Sequence, residues 1–161
     1  MMAHMAGERE DPEISRALTA VLRAVRKRRG LTSKQVAARM NMKLRTYQHF
    51  EAGCGRFSFP KLRRFAQASG SDFNGLVCAI LVGDTNLAAH GGDNRLVSIA
   101  LFSVKALSAR LGERLAIVEP RDLISGLDQA FSRIEGQIRE QPRPDDVTKA
   151  PTGKRASNGD A

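Results

Sequence analysis

Apolar residues recur at helical spacing along most of this chain. From about Ile14 to Arg29 the stripe is Leu18, Val21, Leu22 and Val25, and Gly30, after a basic last turn, predicts the helix end. Residues Leu31 to Gly53, LTSKQVAARMNMKLRTYQHFEAG, read as two short helices around a tight turn. Thr32 and Gln35 have the spacing of a capping box for the first of them, and Val36, Ala37 and Met40 form its apolar stripe. Asn41 falls where the chain must reverse, and Asn is one of the few residues besides glycine that tolerate the left-handed conformation. Met42 plugs the turn, and Tyr47 and Phe50 supply the inner face of the second helix. A fourth helix starts with Pro60 in its first turn, buries Leu62, Phe65, Ala66 and Ser69, and stops at Gly70. A fifth, from Asp72 to Leu81, turns Phe73, Leu76, Val77 and Ile80 inward.

The composition changes after residue 82. The Gly, Asn and Asp content of GDTNLAAHGGDN, residues 83–94, predicts a linker. From Leu96 to Leu115 a helical pattern resumes through Val97, Leu101, Val104, Leu107, Leu111 and Leu115, and Pro120 interrupts it. The next helix, Arg121 to Glu140, carries Ile124, Leu127, Phe131, Ile134 and Ile138 at alternating steps of three and four, a heptad-like seam. Two such helices bury little by themselves, so residues 95–140 are expected to form a unit that pairs with a second copy. Residues 1–13 are expected to be flexible, and 141–161, nearly free of apolar side chains, to be a disordered tail. The predicted fold is all-α: a five-helix domain over residues 14–82, then a two-helix C-terminal dimerisation unit.

Charge sharpens the picture. The 161 residues carry a net +9, and residues 14–82 hold 14 Lys and Arg against two acids, Glu51 and Asp72, for a local +12. The remainder is −3. A positive field concentrated on one segment is the footprint of a nucleic-acid-binding surface. Donor-bearing Lys43, Arg45, Gln48 and His49, with Leu44, are left on the outer face of the second short helix, which suits it to reading base edges in a major groove.

These residues resemble the helix-turn-helix regulators of the phage-repressor and Cro type, the XRE family. The likeness is ungapped from Leu31 to Gly53, through the L-T start, the apolar-Asn-apolar turn and the closing F-E-x-G, and looser over 14–82. It implies base contacts at Leu44, Arg45 and His49, with Gln48 facing the same way, and phosphate contacts at Ser33 and Lys34. Lys43, Arg56 and Lys61 are further phosphate candidates. Arg45 suits the O6 and N7 acceptors of guanine, Gln48 suits adenine, and Leu44 suits a thymine methyl unless it is a plain exposed leucine. The resemblance also implies a partly buried ion pair between Arg26 and Glu51. Two positions depart from the family pattern: Lys43 stands where a Ser-like helix cap is usual, and Asn41 where Gly is common.

Function follows as an expectation: a sequence-specific double-stranded-DNA-binding transcription regulator, a repressor that binds an inverted repeat as a homodimer through Leu101, Val104, Leu111, Ile124, Leu127, Phe131, Ile134 and Ile138. Activation through RNA polymerase is an alternative. So is an antitoxin-like or anti-regulator module that binds another protein, or an architectural protein without sequence preference. No phosphate-cradling glycine loop, zinc spacing or nucleophile–base–acid group is seen, so no enzyme, cofactor or metal is expected. Cys54 and Cys78 lack metal spacing and are expected as free thiols, and His4, His49 and His90 form no cluster. No signal peptide or membrane span is expected, which places the chain in the cytoplasm on the nucleoid. With aromatic residues at 5% and no Trp, stacking on single strands has few surfaces.

Overall fold

A computed structural model describes residues 11–54 and 57–140. It is all-helical among these residues: α1 (Pro12–Arg28), α2 (Ser33–Arg39), α3 (Leu44–Glu51), α4 (Phe59–Ser69), α5 (Phe73–Val82), α6 (Thr85–Gly91), α7 (Leu96–Leu111) and α8 (Pro120–Arg139), with a 3-10 segment, Gly112–Ile117, before α8. The chain divides into two compact units between Arg110 and Leu111. The expected flexible start and disordered tail fall almost wholly outside the described residues, as does Arg56. Within the start, Pro12 and Glu13 already belong to α1.

The first unit is built on α1. Asp11 caps that helix by accepting from the Glu13 amide at 2.8 Å, Pro12 occupies its first turn, and Arg26, Lys27 and Arg28 lie at the negative end of its dipole. The stripe Leu18, Val21, Leu22 and Val25 is buried against Val36, Met40, Tyr47, Phe50, Leu62, Phe65, Leu76 and Ile80. Tyr47 and Phe65 stack at the centre, with ring centroids 6.5 Å apart and planes within 7°. Three further helix starts are capped by local side chains. Thr32 and Gln35 form the full capping box of α2, Ser58 caps α4, and Asp72 caps α5 by accepting from the Gly75 amide at 3.0 Å. Gly70 ends α4 in the left-handed region, with φ +65°.

The predicted linker needs correction. Residues 85–91 are a helix, α6, that packs on α1 and α5, so six helices rather than five pack together in the first unit, which also takes in α7 as far as Arg110. Asp84 caps α6 by accepting from the amides of Asn86 and Leu87, at 2.8 and 3.2 Å. Ala88 and Gly91 are buried, and a Cβ on Gly92, which caps the helix, would lie 3.6 Å from the Asp72 amide nitrogen. Composition suggested a loop where small residues let helices touch. The junction after α7 also differs. The helix ends at Leu111, four residues early, because Gly112 takes φ +55°, and Pro120 opens α8 rather than lying outside it.

Gly53, the last residue of the family-like stretch, shows what the fold demands of it. Its φ is +67°, and a Cβ there would meet the Ser15 carbonyl oxygen of α1 at 2.6 Å. Gly70 has a similar φ with nothing within 4 Å. Gly70→Ala is therefore expected to lose about 1 kcal/mol for the left-handed backbone alone. Gly53→Ala adds a clash with main chain and is expected to lose at least about 2 kcal/mol. Paired denaturant titrations check this, and equal losses would show that α1 does not approach Gly53 so closely.

Candidate nucleic-acid interface

The turn between α2 and α3 is closed by backbone bonds. The Asn41 amide donates to Ala38 and the Met42 amide to Ala37, both at 3.0 Å, and Asn41 takes φ +50°. Met40 is buried in the core, and Met42 packs half-buried against it. Lys43 stands at the N-cap of α3 and makes no side-chain cap bond. Its ammonium is left exposed beside the start of the helix.

One ionic cluster anchors α3 to α1. Arg26 donates through Nε to Glu51 Oε1 at 2.6 Å and through Nη2 to Oε2 at 3.3 Å, a two-point grip. Its Nη1 donates to the Leu31 carbonyl at 3.2 Å, and the Tyr47 hydroxyl donates to Glu51 Oε1 at 2.8 Å. Glu51 is buried and Arg26 is only 18% exposed. The hydrogen bond to Glu51 outweighs burial and raises the Arg26 pKa. Burial first, and then the bond to Glu51, push the Tyr47 phenol well above its usual range, so it remains a donor at any physiological pH. The carboxylate faces inward, away from any phosphate.

With Tyr47, Phe50 and Glu51 turned in, Leu44, Arg45, Gln48 and His49 lie together on the exposed side of α3. Positions 44, 45, 48 and 49 form two adjacent columns on a helix, so these side chains share one face. Leu44 is 40% exposed. Lys34 is exposed and Ser33 half-buried in the first turn of α2, and half-buried Lys61 lies in the first turn of α4. Among the described residues, no group of three His, Cys, Asp or Glu converges to hold a metal.

A family model described as a helix-turn-helix domain matches residues 17–72. The chain carries a helix-turn-helix domain. The match takes in α1 from Ala17 onward, the whole of α2 to α4 and the cap of α5, so the six packed helices extend the matched domain by α5 and α6. Among curated proteins and among solved structures nothing matches the chain. None of the described helices is long and apolar enough to cross a membrane.

Sequence reading left two features unassigned. Arg39, basic and on α2, ties α2 to the end of α4: its Nη1 donates to the Ala68 carbonyl at 3.0 Å. Arg28 and Arg29 pair with Asp93 and tie the segment before α7 to the end of α1. Arg29 lowers the Asp93 pKa by its charge. A partner 64 residues away in sequence leaves no local signal.

Proposed function

We propose that the chain is a sequence-specific regulator of transcription that reads duplex DNA through α3 as a homodimer and represses by occupying an inverted-repeat operator. The observation that carries this reading is the outer face of α3. Arg45, Gln48, His49 and Leu44 are exposed on a helix locked to α1 by the Arg26–Glu51–Tyr47 cluster, within a segment of local charge +12. Base reading needs side chains held to a fraction of an ångström, and a buried two-point ion pair supplies that rigidity. Ser33, Lys34, Lys43 and Lys61 serve as phosphate contacts that set register and salt dependence.

Dimerisation is supported by the two C-terminal helices. Leu101 and Val104 on α7 are exposed, and so are Ile124, Leu127, Phe131, Ile134 and Ile138 on α8; Leu111 is half-buried. An amphipathic twenty-residue helix with no buried residue is not stable by itself in water, and a second copy offers the matching seam. Two linked reading heads then face successive major grooves. No step of this function requires catalysis.

Arg45→Ala tests the reading directly. A two-point contact to guanine contributes about 1–3 kcal/mol of discrimination, so affinity for the preferred site is expected to fall about tenfold or more. Affinity for random duplex should change little. Equal losses on both DNAs, measured by anisotropy at one salt concentration, would assign Arg45 to phosphate and remove the base-reading role.

A further inference from the structure

A cleft of about 800 Å³ opens in the first unit between α4, the turn leading to α5, and the first two turns of α7. Its size lies within the range of small-molecule sites. One wall is basic. Arg63 lies with its guanidinium carbon 4.5 Å from the centre of the Phe73 ring, and Arg29 lines the cleft beside it. A guanidinium over an aromatic ring still has N–H groups to offer a planar anion. Arg95, just before α7, and Ile99 and Phe102, three apart on one face of α7, also line the cleft. Ile99 and Phe102 are 59% and 70% exposed.

The acids lining this cleft are already committed. Asp93 takes Arg28 and Arg29, while Asp72 caps α5 and accepts from Ser98 Oγ at 2.6 Å. The ion pairs within the described residues engage Arg29 and neither Arg63 nor Arg95. Arg95 also has an uncommon backbone for a residue with a side chain, φ +54°, at the start of α7, where its carbonyl accepts from the Ile99 amide at 2.9 Å. That conformation sets its position at the rim of the cleft. Arg63 and Arg95, together with the large apolar side chains Ile99 and Phe102, line one cleft and are complementary to an anion with an apolar body. A DNA phosphate would use the arginines and leave Phe102 and Ile99 in water.

We propose that this cleft binds a small carboxylate with an aromatic or alicyclic body, its carboxylate on Arg63 and Arg95 and its ring on Phe102 and Ile99. The ligand bridges α4 to α7. Without it, the side-chain bonds joining α5 and its cap to α7 within the described residues run through Ser98, which donates to Asp72 and accepts from Asn74 at 3.0 Å. Occupancy therefore fixes the first turns of α7 against the helix-turn-helix body. The regulatory consequence rests on the proposed dimeric DNA binding: a ligand that sets α7 sets the spacing of the two reading heads. Binding of the ligand itself does not depend on that reading.

The test uses the full-length protein and naphthalene-1-carboxylate, followed by the probe's own fluorescence, with naphthalene-1-methanol as the neutral counterpart. Saturable binding of the carboxylate at one per chain is expected. It should be about tenfold weaker in Arg63→Gln and in Arg95→Gln, and similarly weaker for the neutral compound. Both arginines are exposed, so unchanged circular dichroism is expected in the variants. No saturable binding at millimolar probe, equal affinity for the neutral compound, or unchanged affinity in both variants would overturn the proposal. Duplex-DNA affinity with and without saturating probe is the second readout, with Arg63→Gln as the control for added salt. Probe binding by a chain that binds no duplex would sink the regulator reading and leave the cleft intact. Duplex binding without probe binding would do the reverse.

Discussion

Glu51→Ala is expected to destabilise the helix-turn-helix body by about 3 kcal/mol, the lower end for breaking a buried ion pair because Arg26 is partly exposed. The substitution leaves the Arg26 guanidinium without its carboxylate and the Tyr47 hydroxyl without an acceptor, both at the junction of α1 and α3. Glu51→Gln keeps the size and one acceptor, so it is expected to lose about half as much. Urea unfolding separates these cases. A lower midpoint at unchanged slope is the expected signature, since the surface exposed on unfolding is the same. A loss below about 1 kcal/mol in Glu51→Ala would place this pair among ordinary surface ion pairs and remove the proposed source of rigidity in α3.

Phe131→Asp is expected to have the largest effect on DNA binding, although it lies far along the chain from α3. Phe131 is the middle residue of the α8 seam, and a carboxylate there would be buried against its own copy in a dimer. Sedimentation should show a monomer where the parent chain is a dimer. Far-ultraviolet dichroism should fall as well, because α8 has no buried residue to hold it once the partner leaves. Two linked heads bind far more tightly than one, so operator affinity is expected to drop about a hundredfold or more. A parent chain that sediments as a monomer, or a variant that keeps both its dimer and its affinity, would transfer the seam to a different protein partner.

Much of this was legible in the amino-acid order because the signals are local. The capping box at Thr32 and Gln35, the left-handed Asn41, and the stripe from Leu18 to Val25 each lie within a few residues of the element they specify. The Arg26–Glu51 pair spans 25 residues and became visible through the family resemblance rather than through any spacing. Reading failed where a local signal was ambiguous or where the partners lie far apart in the chain. Asp84 was an available cap signal for α6, but the glycines of residues 83–94 look alike whether they make a loop or let a helix lie against α1 and α5. Gly112 is a helix stop that the leucine periodicity overrode in the pattern, since Leu115 continues the repeat past the break. The cleft beside α7 joins Arg29, Arg63 and Arg95 from three separate elements, and no sequence window contains them together.

The face of α3 was the more readable part of the site. Once Tyr47 and Phe50 are assigned inward, helical geometry leaves Leu44, Arg45, Gln48 and His49 outward, and they are exposed. Which bases they meet is a property of the complex, and it is there that the central claim is tested. Full-length protein should be used to select bound sites from a random pool of duplex DNA. The account predicts enrichment of an inverted repeat with half-site centres about one helical turn apart. Binding without any enriched sequence, or no duplex binding at all, would contradict it.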